Sequence, residues 1–311
     1  MARFSAQDVY SLISQHQLTA EQAAAIEGAS ITDPSLVIAG AGSGKTELMM
    51  VRVLFLVANG FARPEQILGL TFTRKAAREL LGRVQQGLFV LRESSLWPDD
   101  LDQDFLPPKI ATYNSFGNEI FRSVALELGY EAEAQLLSEA SAISLASSLL
   151  EDSAEIGEDF SLQLQTLAER IVLLSGQLTD NMVEPGELGD YLNSLASALS
   201  QAPKAKEGDA GRFAYTEKHL ESLQAGAKIA ELVERYRNLK FQRNYLDFAD
   251  QVALSVRALQ STKIDHDYRF VLLDEYQDTS PIQTRLLSGL FARMPVMAVG
   301  DPNQSIYGWR G

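Results

Sequence analysis

Residues 39–46 read Ala39-Gly40-Ala41-Gly42-Ser43-Gly44-Lys45-Thr46, a run whose types and spacing suit the holding of phosphate. Glycines at 40, 42 and 44 let the backbone turn sharply and bring its N–H groups close to an anion. A helix starting at Lys45 adds unpaired N–H donors and the positive end of its dipole. Lys45 can reach the β- and γ-phosphates of a nucleoside triphosphate, and the Thr46 hydroxyl can hold Mg²⁺. Ala39 stands where the strict pattern has glycine, a departure of one methyl group. A second cluster, Asp274-Glu275, closes the apolar run Tyr268 to Leu273. An apolar strand ending in Asp-Glu is the other signature of a nucleoside triphosphatase. Its first carboxylate can enter the Mg²⁺ shell, and its second can orient and deprotonate water.

Other residues suit nucleic acid. Phe72, Thr73, Arg74 and Lys75 lie where a strand passes into a helix, and hydroxyls, basic side chains and a helix start together fit a phosphate backbone. The run Gly300 to Gly311 sets Gln304 near Tyr307, Trp309 and Arg310. Exposed aromatics beside an arginine make a stacking platform for single-stranded bases; the same two rings read equally well as core residues beside a turn. Gln22, three residues after Thr19, completes a capping box. Its amide can also pair with N6 and N7 of adenine, although the local pattern by itself favours the cap.

These groups need elements to position them. Leu36 to Ile38 reads as a buried strand, and Lys45 to Ala58 as a helix stopped by Asn59-Gly60. Strands are expected over 67–72, 109–112, 268–273 and 295–299, with helices beginning at Thr73, Tyr113 and Pro281. Residues 91–108, with five acids and three prolines, read as a surface insertion. From 117 to 245 Leu, Ala, Ser and Glu dominate, with helices expected near 118–128, 138–150, 160–175, 187–200 and 216–240. Residues 203–212 read as a mobile loop. Lys45 and Asp274 are 229 residues apart, far more than a few βα units need, and a helical insertion accounts for the excess. The fold class is therefore α/β: a parallel sheet flanked by helices, with a mostly helical domain inserted. The expected division is 1–116, 117–245 and 246–311, the first and last forming one nucleotide-binding domain.

Composition narrows the function. The 311 residues carry a formal net charge of −14, which by itself argues against nucleic acid. The charge is unevenly spread, with two basic and fifteen acidic residues over 117–203 but eight basic and seven acidic over 1–90. The acidic stretch is a solvated surface or a region that repels DNA. There is no cysteine, and the three histidines are scattered, so thiolate and histidine metal sites are excluded. The absence of a long apolar run argues against a membrane span, and a cytoplasmic protein is expected.

In their order along the chain, these motifs resemble the N-terminal half of UvrD/Rep-type superfamily 1A DNA helicases, P-loop NTPases with a RecA-like sheet. Leu18 to Gln22 is similar to the Q motif and Ala39 to Thr46 to motif I. Leu70 to Ala77 is similar to motif Ia, Ala111 to Phe116 to motif Ib, and Leu246 to Asp250 to the family's Asp-Phe segment. Val271 to Thr279 resembles motif II and Val299 to Gly311 motif III. The resemblance implies that Gln22 reads adenine, that Lys45 and Thr46 bind phosphates and Mg²⁺, and that Asp274 holds Mg²⁺. It implies that Glu275 is the general base and Gln304 the γ-phosphate sensor. Phe72, Tyr307 and Trp309 would stack on bases, with Thr73, Arg74, Tyr113, Asn114 and Arg310 along the strand's path. Asn114 stands where many relatives have histidine, and Arg74 where asparagine is commoner. ATP and Mg²⁺ are the implied cofactors, and single-stranded DNA and single-strand/duplex junctions the implied partners. A role in DNA repair, replication or recombination with 3′-to-5′ polarity follows from the family. Motifs IV to VI have no counterpart. The chain thus reads as a truncated helicase that binds ATP and single strands, hydrolyses poorly and unwinds nothing. The rival reading is an ATPase-like regulatory or scaffold module that does not move on DNA; base-stacking aromatics beside a phosphate sensor discriminate against it.

Overall fold

The computed structural model describes residues 2–28, 31–40, 42–102, 104–130, 134–152, 163–201 and 213–305. Two compact units emerge. The first comprises the chain up to Ile120 and from Leu259 onward, and the second runs from Phe121 to Ala258. Residues 246–258, expected in the nucleotide-binding domain, pack in the second unit. Pairing explains this: Tyr245–Leu246 (β5) lies parallel to Gln135–Leu136 (β4), and the following helix packs within the same unit.

The first unit is built on a five-stranded parallel sheet of order β1-β7-β6-β2-β3. The strands are Ser35–Ile38 (β1), Ile67–Thr71 (β2), Lys109–Thr112 (β3), Phe270–Leu273 (β6) and Val296–Gly300 (β7). β2 and β6 are buried at every position, as continuous apolar runs in a covered parallel sheet must be. β1, at one edge, alternates half-buried and exposed residues. Two short helices, Ala6–Tyr10 (α1) and Ala20–Glu27 (α2), precede β1. Lys45–Ala58 (α3) follows β1, Arg74–Arg92 (α4) follows β2, and Pro281–Phe291 (α11) lies between β6 and β7. α3 is buried from Leu48 to Ala58, as a helix apolar nearly all round should be. α1, α2 and α4 pack on it. Its buried Arg52 donates to the Ile26 carbonyl near the end of α2, and burial pulls the guanidinium down to about 10. In the 91–108 segment, Trp97 packs on Phe105 at 5.3 Å and donates to the Leu101 carbonyl at 3.0 Å.

Tyr113–Val124 (α5) carries the chain across the boundary into the second unit. That unit contains Glu139–Glu151 (α6), Leu164–Asp180 (α7), Pro185–Ser200 (α8), Ala214–Gln242 (α9) and Phe248–Ala258 (α10). Its core gathers Leu145, Ala146, Leu167, Ile171, Val233 and Tyr236. The expected loop at 203–212 lies outside the described residues.

Candidate nucleotide site and nucleic-acid interface

Because all five strands run the same way, their C-terminal ends share one edge, where ligands bind in open α/β sheets. That edge carries the phosphate loop after β1, Phe72 to Arg74 after β2, Tyr113 after β3, Asp274-Glu275 after β6 and Asp301 after β7. Ala39 N–H donates to the Gly300 carbonyl at 3.0 Å, extending the β1–β7 pairing into the loop. Gly42 and Gly44 take φ of 73° and 82°, a left-handed region that penalises side chains. Ser43 Oγ closes the turn on the Gly40 carbonyl at 2.7 Å. Lys45 then opens α3 with Thr46 beside it, half-buried. Ala41 lies outside the described residues.

The two triphosphatase signatures meet here: Lys45 Nζ lies 3.2 Å from Glu275 Oε2, with Lys45 11% and Glu275 36% exposed. Glu275 sits at φ 50°, ψ 42°, a left-handed conformation that costs a non-glycine residue about 1–3 kcal/mol. Such strain collects at functional sites. Asp274 is buried and accepts from Thr71 Oγ1 at 3.0 Å. Burial, then the neighbouring Glu275, hold its carboxyl above the ordinary carboxylate range, against the pull of Thr71. The buried carboxylate of Asp274 and the hydroxyl of Thr46, next to Lys45 in the chain, are hard oxygen donors. They fit Mg²⁺, which takes one or two carboxylates together with phosphate and water. Among the described residues no group of three His, Cys, Asp or Glu forms a protein-only metal cage.

Gln22 serves the cap and also reaches the phosphate loop. Its Oε1 accepts from Thr19 N–H at 3.0 Å in the capping box, while its Nε2 faces the Ser43 carbonyl at 3.4 Å. Gln304 Nε2 donates to Asp301 Oδ2 at 2.6 Å. Asp301, held below the ordinary range first by the Asn303 N–H, is joined through its own N–H to Gln277 Oε1 at 3.0 Å. Gln277 Nε2 in turn donates to Glu275 Oε2 at 2.7 Å.

The expected DNA contacts separate. Phe72 is half-buried, and Thr73 and Arg74 are exposed on the sheet edge. Thr73 Oγ1 already caps α4, accepting from Ala76 N–H at 3.1 Å. Tyr113, expected along the strand's path, is 5% exposed and donates to the Asp274 carbonyl at 2.8 Å. Its ring is core and its hydroxyl braces the carboxylate pair, so it offers no face to a base. Asn114 is exposed, and its Oδ1 accepts from Gln283 Nε2 at 3.1 Å. Tyr307, Trp309 and Arg310 lie outside the described residues. Sequence reasoning missed Thr71, Gln277, Gly300 and the bracing role of Tyr113. Each acts through a partner 23 or more positions away, and no local pattern marks them.

Comparison with known proteins agrees with this geometry. The sequence profile of the UvrD/REP helicase N-terminal domain matches residues 18–311. ATP-dependent DNA helicase Rep of Escherichia coli (strain K12) is 30% identical over 289 residues, covering 90% of this chain and 36% of that protein. A probable DNA helicase II homolog of Mycoplasma capricolum subsp. capricolum is 27% identical, covering 91% of this chain and 34% of its own length. ATP-dependent DNA helicase PcrA of Bacillus subtilis (strain 168) is 26% identical, with 92% and 33% covered. The chain thus spans about a third of the length of these curated relatives. With a phosphate loop, an Asp-Glu strand end and a glutamine-bearing turn on one parallel-sheet edge, and with the profile spanning nearly all of it, the chain belongs to the UvrD/REP helicase N-terminal domain family.

Proposed function

We propose that these residues are the ATP-binding and single-stranded-DNA-binding part of an ATP-dependent 3′-to-5′ DNA helicase. In this reading the first unit is domain 1A and the second domain 1B. The relatives named ATP-dependent DNA helicases support it, and so does one observation above the rest: Lys45 lies 3.2 Å from Glu275 at the mouth of the glycine loop. A lysine paired with the base at the mouth of such a loop is poised to exchange that partner for phosphate. On exchange Lys45 moves to the β- and γ-phosphates, and Glu275 is freed to take a proton from water. The water oxygen then bonds to the γ-phosphorus, the bond to the β–γ bridging oxygen breaks, and ADP and phosphate leave. Thr46 and Asp274 would hold Mg²⁺, which supplies charge neutralisation on the phosphate oxygens when bound. Gln22 would read adenine and Gln304 would sense the γ-phosphate. Phe72, Arg74, Asn114, Tyr307, Trp309 and Arg310 would line the strand's path.

The chain has two tryptophans. Trp97 packs at a tilt against Phe105 and is tied to the Leu101 carbonyl, so it supplies a steady background to fluorescence. Titration with a single-stranded oligonucleotide should quench Trp309. Trp309→Ala should weaken binding about tenfold at fixed salt, since stacking is worth about 1–3 kcal/mol per base. Equal binding by the variant would return Trp309 to the core. An added arginine at the γ-phosphate is worth about 10³–10⁵ in rate. The described residues bring Lys45 to the loop, so phosphate release by this chain alone should be slow. Turnover of several per second on single-stranded DNA would refute that.

A further inference from the structure

The motif that supplies Glu275 also supplies Gln277, which the roles above leave unused. Its amide has one orientation fixed from both ends. Nε2 donates to Glu275 Oε2 at 2.7 Å, and Oε1 accepts from the Asp301 N–H at 3.0 Å. Asp301 continues the chain, accepting from Gln304 Nε2 at 2.6 Å and from Asn303 N–H at 3.0 Å. A row of hydrogen bonds thus runs from the end of β6 to the turn after β7. The backbone makes room for it at Gly300. A Cβ there would stand 2.4 Å from Gln277 Oε1 and 3.3 Å from the N–H nitrogens of Tyr276 and Gln277. The φ of Gly300 is not in the left-handed region, so close approach of this segment, nearest at the Gln277 amide, is what the glycine admits.

Among the described residues, Lys45 and Gln277 both donate to the same oxygen of Glu275, Oε2. When Lys45 leaves for phosphate, Gln277 is the side-chain donor that still holds that oxygen. The other oxygen then remains to accept a proton. We propose that Gln277 is a positioning residue: its amide orients Glu275 and ties it to the turn carrying Asp301 and Gln304, so that contact at Gln304 and the readiness of the base are coupled. The proposal rests on the nucleotide-site reading above.

Gln277→Met keeps the length and removes both hydrogen bonds. Gly300→Ala leaves Gln277 intact and pushes it away. In single-turnover assays with bound Mg-ATP, each should slow hydrolysis about 10- to 100-fold, the scale set by misplacing a catalytic group by an ångström. Mg-ATP affinity should stay within about threefold. The double variant should be no slower than the worse single one, because both break the same link. Gln277→Glu, which keeps the acceptor and loses the donor, should not restore the rate. If hydrolysis is too slow to time, the affinity for ADP–aluminium fluoride relative to ADP gives the same comparison. In the nucleotide-free protein the Gln277 side-chain amide protons should exchange slowly with solvent, and Gly300→Ala should release them. Parent-like hydrolysis by Gln277→Met, additive losses, or fast amide exchange in the parent would each overturn the proposal. A parent chain that does not bind Mg-ATP would instead overturn the nucleotide reading, with amide exchange still testing the bridge. If one variant does not fold, the other carries the test.

Discussion

Each unit holds a lysine against carboxylates, and the two arrangements differ in kind. In the second unit Lys240 is 3% exposed and donates to Asp247 and Asp250, each at 2.6 Å. The two aspartates cap each other's backbone N–H groups at 2.9 Å, and the Tyr236 ring lies 5.1 Å from the ammonium. Both carboxylates reach the one ammonium, and the second aspartate, Asp250, is held above the ordinary carboxylate range by burial and by Asp247. Burial alone would lower the lysine, but the paired aspartates raise it well above its usual range. In the first unit Lys45, at the end of a glycine loop, makes one longer ion pair among the described residues, to a carboxylate that is 36% exposed. Asp274 beside it is buried with a threonine as its side-chain partner. The charge count is the same in both, but a clamp closed by two short contacts stabilises, while one with a single long contact to a part-exposed carboxylate is open to a ligand.

Breaking the closed clamp should have the larger effect on the fold. Lys240→Met leaves two half-buried carboxylates, 29% and 16% exposed, without a cation, and the about 3–5 kcal/mol that removing one partner of a fully buried pair costs is the upper bound of the loss. Urea denaturation should show the loss, and a cost under about 1 kcal/mol would mean that the aspartates find water instead. Lys45→Ala should do the opposite. Its contact is partly exposed and weak in stability terms, so melting should hardly change while Mg-ATP affinity falls by about a hundredfold or more in calorimetric titration. Unchanged affinity would remove Lys45 from the phosphate site.

The smallest effect sharpens the contrast. The folded state holds the proton of Asp274 more tightly than the unfolded chain does, because its range is raised. Stability contributed by that proton is therefore lost as pH rises from the ordinary carboxylate range through the raised one. At neutral pH the charge is a burden on the nucleotide-free protein. Asp274→Asn should stabilise that form by about 1 kcal/mol, the size of an ordinary favourable substitution, and abolish the added stabilisation by Mg-ATP. Thermal melts at pH 7 with and without Mg-ATP read both. Destabilisation of the nucleotide-free variant would show that the carboxylate is a structural partner.

Part of this was legible because the physics is local. Gly42 and Gly44 announce a loop with φ above zero, the apolar run 45–58 announces its helix, and Pro281 after Ser280 announces the next. These need only neighbours in the chain. The α/β class followed from apolar runs ending in chemistry-bearing residues, and the helical insertion from the distance between the two signatures. The boundary at 246 was not legible, because a two-residue strand is fixed by its partner at Gln135–Leu136 and not by its own composition.

The sequence by itself determined the phosphate loop, the Asp-Glu strand end and the elements that carry them, since spacing and residue type suffice for those. Only the tertiary structure decided that Tyr113 braces Asp274 and does not face a strand, that Gln277 joins Glu275 to Asp301, and that Gly300 is small to let it pass. Those are contacts across parallel strands distant in sequence. Their distances come from the order β1-β7-β6-β2-β3, which no single segment encodes.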